Sequence, residues 1–235
     1  MFHRTALKPS EHHVWRYTDL MGRGLGREAI LRVIEKRVNQ TKIGYYAELF
    51  VYPLVVGGLL LNDVGWSGFA LHLRWSFAAL CGAMLWTLTE YLVHRFVYHK
   101  VPILRELHGM HHSRPCDYIG APIWVSIVGF SSFFFLLALL WNVEIAGGTT
   151  SGLIVGYVSY LLMHDAVHHW QLDEKAWLRS HRLRHLRHHH HPVPGNFGVT
   201  TGVWDFVFGT AIVPGRAGTG REIYREHKRL PERAA

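Results

Sequence analysis

The sequence predicts an all-α integral membrane protein: four transmembrane helices in two hairpins, with a cytoplasmic helical cap carrying a histidine-rich di-metal site. Three observations lead there. Residues 122–141 and 145–163 carry no charged side chain at all. Of the 25 Lys and Arg residues, 24 fall on one side of the implied membrane. Thirteen of the 19 histidines lie in four tight groups, which the topology brings to that same side.

The 235 residues are 49% apolar and 18% charged, where soluble domains carry about 25% charged residues. Global disorder is excluded. Cys81 and Cys116 are the only cysteines, too few for a disulfide framework or a four-thiolate zinc site. A net charge of +8 suits nucleic acid, acidic lipid or an acidic protein partner. No zinc finger, RNP pattern or continuous basic helix is visible, so nucleic acid is set aside in favour of membrane lipid.

Residues 1–42 read as a cytoplasmic N-terminal segment. The opening MFHRTALKPS has no apolar run, so no cleaved signal peptide is expected. Within 27–38, Ile30, Val33, Ile34 and Val38 share one stripe among basic residues, which fits an interfacial helix and equally an ordinary surface helix. Residues 43–235 read as one membrane domain, with spans at about 43–61, 69–93, 122–141 and 145–166. About 20 apolar residues in a helix cross the ~30 Å hydrocarbon core. The first two spans are less pure: Glu48 sits in one, and His72 and Arg74 lie near the end of the other, where they can snorkel. Tight turns at 62–68 and 142–144 close the hairpins.

Residues 1–46 hold nine Lys/Arg, residues 94–121 hold four and residues 170–235 hold eleven, while Arg74 stands alone on the other side. The positive-inside rule therefore puts both termini and the cap segments 94–121 and 167–235 in the cytoplasm. Arginine outnumbers lysine 19 to 6, which fits a GC-rich bacterial source and hence a bacterial inner membrane.

The histidine groups are His94–His99, His108/His111/His112, His164/His168/His169 and His185/His188–His191. Positions i, i+3 and i+4 share a helix face. That aligns His108 with His111 and His112, His164 with His168, and His185 with His188 and His189. His94 and His99 are five apart and need a helix end or a distortion to meet. Neutral imidazole binds Fe, Zn, Cu and Ni, and ten such residues suit two metals a few ångströms apart. His169, His190 and His191 are ambiguous. His3, His12, His13, His72, His181 and His227 read as surface residues. Glu90, Asp117 and Asp165 are candidate acceptors that orient imidazoles, and Glu90 equally fits a snorkelled interfacial carboxylate.

The set H-x(4)-H, H-x(2)-HH, H-x(3)-H, H-x(2)-HH resembles the fatty acid hydroxylase superfamily of membrane non-haem di-metal oxygenases. EYLVHRFVYH (90–99), HGMHHSRPCD (108–117) and HLRHHHHPVPGNFGVTTGVWDFVFGT (185–210) look like its fatty acid 2-hydroxylase branch, over about residues 85–212. The resemblance implies a register. Phe197 stands eight residues after His189, which makes His185, His188 and His189 the ligands and leaves His190 and His191 outside. The implied metal ligands are thus His94, His99, His108, His111, His112, His164, His168, His185, His188 and His189. Trp204, Asp205, Phe206 and Phe208 match a WDxxFG segment, read as packing rather than chemistry.

The resemblance further implies two iron ions, dioxygen and a long-chain acyl lipid hydroxylated beside its carboxyl or amide carbon. Zinc binds such sites more tightly than ferrous iron, so a purified sample can hold zinc. No fused haem electron-carrier domain is expected in residues 1–45, so a separate ferredoxin or cytochrome supplies electrons. Arg179, Arg182, Arg184 and Arg187, beside the fourth histidine group, form a candidate docking patch for it. Sterol, carotenoid or other lipid hydroxylases and desaturases of the superfamily remain alternative readings. A metal transporter or sensor is the alternative from outside it, although the centres of the two uncharged spans carry no His, Asp or Glu.

Overall fold

The computed structural model describes residues 39–64, 69–170 and 176–212, together with Lys36. The interfacial-helix stripe, most of the 62–68 turn and the tail beyond residue 212 lie outside the described residues. From residue 42 on, the described residues form, in order, α1 (Lys42–Val64), α2 (Phe69–Leu92), a π-helix (Val93–Tyr98), α3 (Pro102–Ser113), α4 (Ile123–Leu140), α5 (Val143–His169), α6 (Ala176–His190) and α7 (Val203–Val207). The one β-type pairing among the described residues is an isolated bridge between Asn39 and Ile119.

Among the described residues, four helices are long and apolar enough to cross a membrane: Lys42–Asn62, His72–Tyr98, Ile123–Leu140 and Val143–His169. Ile43, Leu54, Phe77 and Leu139 point outward and are exposed. In a water-soluble chain such a surface would aggregate, whereas around a bilayer span it faces lipid. The second hairpin turns more tightly than 142–144 suggested. Asn142 is the N-cap of α5, its Oδ1 accepting the Ile145 amide at 2.8 Å. Glu144 therefore lies in the first turn of α5, where the helix dipole favours an acid. It pairs with Arg74 at 3.6 Å, which links the hairpins at the end away from the histidines.

The core is a close seam between α2 and α5. Gly148, Gly152 and Gly156 repeat every four residues on one face of α5. A Cβ on Gly152 would overlap the Ala79 carbonyl, one on Gly148 would lie 2.6 Å from the Trp75 oxygen, and one on Gly82 would overlap the Thr149 carbonyl. Small residues let helix backbones approach in lipid, where no hydrophobic drive separates helix from solvent. Tyr52, Phe130, Leu153 and Ile154 fill the adjoining core. Glu48 is buried there but satisfied: Ser126 Oγ and Tyr157 OH (2.6 Å) donate to it, and Tyr52 OH donates to Ser126 at 2.7 Å. An intramembrane carboxylate is costly unless partnered in this way.

At the other end, the Gln40 amide donates to Tyr118 O and its side chain to Ala121 O, both at 2.9 Å. The start of α1 and the approach to α4 therefore share one face. The α2 C-terminus, α3, the α5 C-terminus and α6 meet there and bring the histidine groups together.

Candidate metal centre

The i, i+5 spacing of His94 and His99 is resolved by the backbone. Val93–Tyr98 winds as a π-helix, whose repeat is i to i+5. His94 and His99 then face one centre with their rings 5.3 Å apart. Pro102 starts α3, since proline suits the first helical turn. One turn later, α3 presents His108, His111 and His112. The third group lies inside α5, because that helix runs on to His169 with no breaker before Trp170.

The imidazoles gather in two nests. His94, His99, His108, His112 and His188 form one, and His111, His164, His168 and His185 the other; within each, the candidate ligand atoms lie within 4.8 Å of one another. In the first nest, His108 Nε2 is 3.0 Å from His94 Nε2 and 2.9 Å from His112 Nε2, and His99 Nε2 is 3.3 Å from His188 Nε2. In the second, His164 and His111 approach to 3.1 Å and His168 and His185 to 2.9 Å. His189 joins the nests: its Nε2 is 3.0 Å from that of His185, and its ring stacks on His112 at 4.2 Å. All ten residues expected from the sequence thus meet in one place.

Their protonation suits metal. His94 Nδ1 lies 2.5 Å from Phe197 O and His188 Nδ1 lies 2.8 Å from Gly195 O. A carbonyl only accepts, so both Nδ1 atoms carry the proton and both Nε2 lone pairs point inward. Burial lowers the pKa of His99 to about 4 and, with His99 as a charged neighbour, that of His112 to about 3. Burial first, and crowding by other imidazoles second, hold His108, His111, His185, His188 and His189 well below the ordinary value. The cap imidazoles are therefore neutral at pH 7. Imidazole nitrogens converging within 4.8 Å in two nests suit a shared cation in each, so the donor set fits two bound metal ions.

Several expectations about the surroundings need correction. Glu90 does not orient an imidazole directly. It accepts the Val199 amide (2.5 Å), the Thr200 amide (3.0 Å) and the Thr200 hydroxyl (2.5 Å). Asp205 accepts the Phe197 and Gly198 amides at 2.8 and 2.9 Å. Together they hold the loop 195–201, whose carbonyls orient His94 and His188. Asp165 accepts from Tyr46 OH and Trp170 Nε1, and Asp117 pairs with Arg114. The resemblance to a WDxxFG segment was the only signal for Asp205, and it was read as packing.

His169 turns away from the nests and stacks on Tyr118 at 5.4 Å, while His191 bonds Val193 O. His181 is not a plain surface residue: its Nδ1 donates to Val199 O at 3.2 Å. Arg182 and Arg184 are absorbed by the cap rather than displayed for docking. Arg182 is buried and donates to Ala166 O and Trp170 O, closing the α5 C-terminus. Arg184 donates to Gly198 O and Val199 O.

Fold and site define a helical membrane protein with paired histidine nests built for metal at one membrane face. The chain belongs to the fatty acid hydroxylase family, whose pattern matches residues 79–210. It is 32% identical to fatty acid 2-hydroxylase of Rattus norvegicus over 143 residues, which are 56% of this chain and 38% of that one. It is 34% identical to the ceramide very long chain fatty acid hydroxylase SCS7 of Saccharomyces cerevisiae over 145 residues, 57% and 37% of the two chains. With the dihydroceramide fatty acyl 2-hydroxylase FAH2 of Arabidopsis thaliana it shares 33% over 138 residues, 55% and 58% of the two. The chain thus spans about two fifths of the animal and yeast relatives. The hydroxylase domain visible in a structure of full-length Scs7p superposes with a TM-score of 0.65 at 28% identity, covering 75% of this chain and 69% of that one.

Proposed function

We propose that the protein is a membrane-bound non-haem di-iron oxygenase that hydroxylates a lipid acyl chain at the 2-position of a fatty acid or N-acyl lipid. The observation that carries this reading is the pair of imidazole nests where the C-terminal ends of two of the four apolar helices meet the cap helices α3 and α6, inside the segment that matches the fatty acid hydroxylase family. His94, His99, His108, His112 and His188 are assigned to one iron and His111, His164, His168 and His185 to the other, with His189 between them. Two iron ions held there would supply dioxygen activation, which would need two electrons per turnover from a separate ferredoxin or cytochrome.

The chain's own residues position and shield. Gly195 and Phe197 carbonyls hold the Nδ1 protons of His188 and His94, so each ring offers only Nε2. Phe197 sets its ring edge against His94, His99 and His188 at 5.3–5.8 Å and excludes water from that side. Tyr98 stacks on His108 and Tyr160 on His164, which restricts ring rotation. Placing both termini and the cap in the cytoplasm of a bacterial inner membrane, as the basic residues favour, gives the site access to cytoplasmic reductant.

The test is a lipid profile of cells expressing the wild type or His108→Ala. The wild type is expected to add one oxygen atom at C2 of an acyl chain, and the variant is not. Identical profiles would reject the proposed reaction.

A further inference from the structure

We propose that α7 is not part of the aqueous cap but a re-entrant segment immersed in the hydrocarbon of the adjoining leaflet, in contact with lipid acyl chains. Two contacts fix its depth. Trp204 Nε1 donates to Thr87 Oγ1 at 3.0 Å, and Phe208 stacks on Tyr91 at 5.2 Å with an interplanar angle of 15°. The segment therefore runs beside the last turns of α2, inside the helix long and apolar enough to cross a membrane. The headgroup level is marked by Phe96, which has the Arg95 guanidinium 5.0 Å and the Lys100 ammonium 4.7 Å from its ring centre. Thr87 lies more than two turns before Phe96, roughly 13 Å further along the helix at ~1.5 Å per helical residue.

The patterning of α7 is that of a membrane surface. Phe206 is 82% exposed, Val207 58%, Val203 56% and Phe208 46%, whereas Asp205 is 1% exposed. Polar groups point inward and are satisfied. The Asp205 carboxylate holds the Phe197 and Gly198 amides, and the Trp204 indole holds Thr87. The backbone amides of Phe206, Phe208, Gly209, Thr210 and Ala211 all donate within the segment, to Gly202, Trp204, Phe206 and Asp205 carbonyls. Irregular backbone at membrane depth is tolerated where protein meets its hydrogen bonds, and these five amides are met within the segment itself. Met84 and Leu85 on α2 continue the outward apolar surface. An acyl chain is the occupant that matches the outward apolar surface of Val203, Phe206 and Val207, while the Phe208 end, stacked on Tyr91, meets the Arg95 guanidinium 2.6 Å from Tyr91 OH and so lies nearer the headgroups. Through Gly202 the segment is continuous with the loop whose Phe197 touches the first histidine nest. The site is thus bordered by lipid on this side, whichever metal it holds.

The experiment uses the full chain in phosphatidylcholine vesicles. Single cysteines at Val203→Cys, Phe206→Cys and Val207→Cys, in a Cys81→Ser/Cys116→Ser background, carry an environment-sensitive fluorophore. Leu85→Cys on α2 and Ser113→Cys on α3 are the lipid and water references. Lipids with a nitroxide on the acyl chain should quench the α7 labels several-fold more than aqueous iodide does, as for Leu85→Cys. Iodide quenching equal to that of Ser113→Cys would overturn the proposal by placing α7 in water. Protection from both quenchers would overturn it in favour of a protein interface, such as a second copy of the chain. The readout needs no turnover, so it stands or falls apart from the proposed reaction.

Discussion

Glu90 and Val199 lie 109 positions apart, yet the Glu90 carboxylate accepts the Val199 amide at 2.5 Å. That bond carries the end of the second membrane helix onto the loop that steers His94 and His188. The same loop is held at its other side by Asp205, whose Oδ1 takes the Phe197 amide and whose Oδ2 takes the Gly198 amide.

The two carboxylates should differ in their tolerance of an isosteric amide. In Glu90→Gln, the remaining oxygen can accept both backbone amides while the new NH2 donates to the Thr200 hydroxyl. In Asp205→Asn, either orientation turns the NH2 toward a backbone N–H. A buried donor left without an acceptor costs ~1–3 kcal/mol. Asp205→Asn should therefore lower the thermal midpoint and the metal retained per chain, and Glu90→Gln should do neither. Equal effects in calorimetry and elemental analysis would refute the role of the loop.

Histidine variants should sort by the nests. His108→Ala and His185→Ala remove donors at the centre of each, and elemental analysis should find metal lost from both. His169→Ala and His191→Ala should keep full metal, because their rings face Tyr118 and Val193. His190→Ala should lose far less than His188→Ala. The reverse ranking would mean that the register counted from Phe197 is wrong.

The α2–α5 seam predicts a steep glycine contrast. Gly152→Ala drives a Cβ into the Ala79 carbonyl, so the helices must part. Gly129→Ala on α4 meets nothing within 4 Å and should be neutral or stabilising, by up to ~1 kcal/mol of helix propensity. Detergent-solubilised yield and thermal midpoint are the measurements. A tolerated Gly152→Ala would show that the seam is looser than described.

Arg182 and Arg184 should behave as structural residues. Arg182→Ala unpairs the Trp170 carbonyl and leaves Ala166 O only the Trp170 amide, and Arg184→Ala unpairs the Gly198 carbonyl and leaves Val199 O only His181. Each should cost about 1–3 kcal/mol, seen as a lower thermal midpoint without any electron carrier present. Wild-type stability combined with a slower carrier-driven rate would restore the docking role.

Membrane orientation is checked by reporter fusions at residue 235 and within the 62–68 turn. The C-terminal fusion should report cytoplasm and the turn fusion the opposite side. A swapped result would reverse the positive-inside count.

The helices and the ten converging histidines were legible because both follow from simple rules, length without charge and spacing on a helix face. What escaped was the wiring behind them. No local pattern says that Phe197 and Gly195 would offer carbonyls to rings 103 and 7 positions away. Nor could charge alone tell that Arg182 and Arg184 would be consumed by backbone carbonyls. That depends on how α6 packs against the α5 C-terminus and the 195–201 loop. Phe206 departs from the packing expectation for the opposite reason: its side chain faces outward.

The π-helix at Val93–Tyr98 makes chain length itself a determinant of the site. Removing one residue between His94 and His99 would let the segment relax to ordinary α geometry, and the two histidines would then stand at i and i+4, still on one face. Adding one would turn His99 by about 100° around the helix, given ~3.6 residues per turn. Point substitutions at Arg95, Phe96, Val97 or Tyr98 keep the count and leave the winding possible. Across diverging sequences this stretch should therefore change in letters, Tyr98 excepted, without gaining a residue.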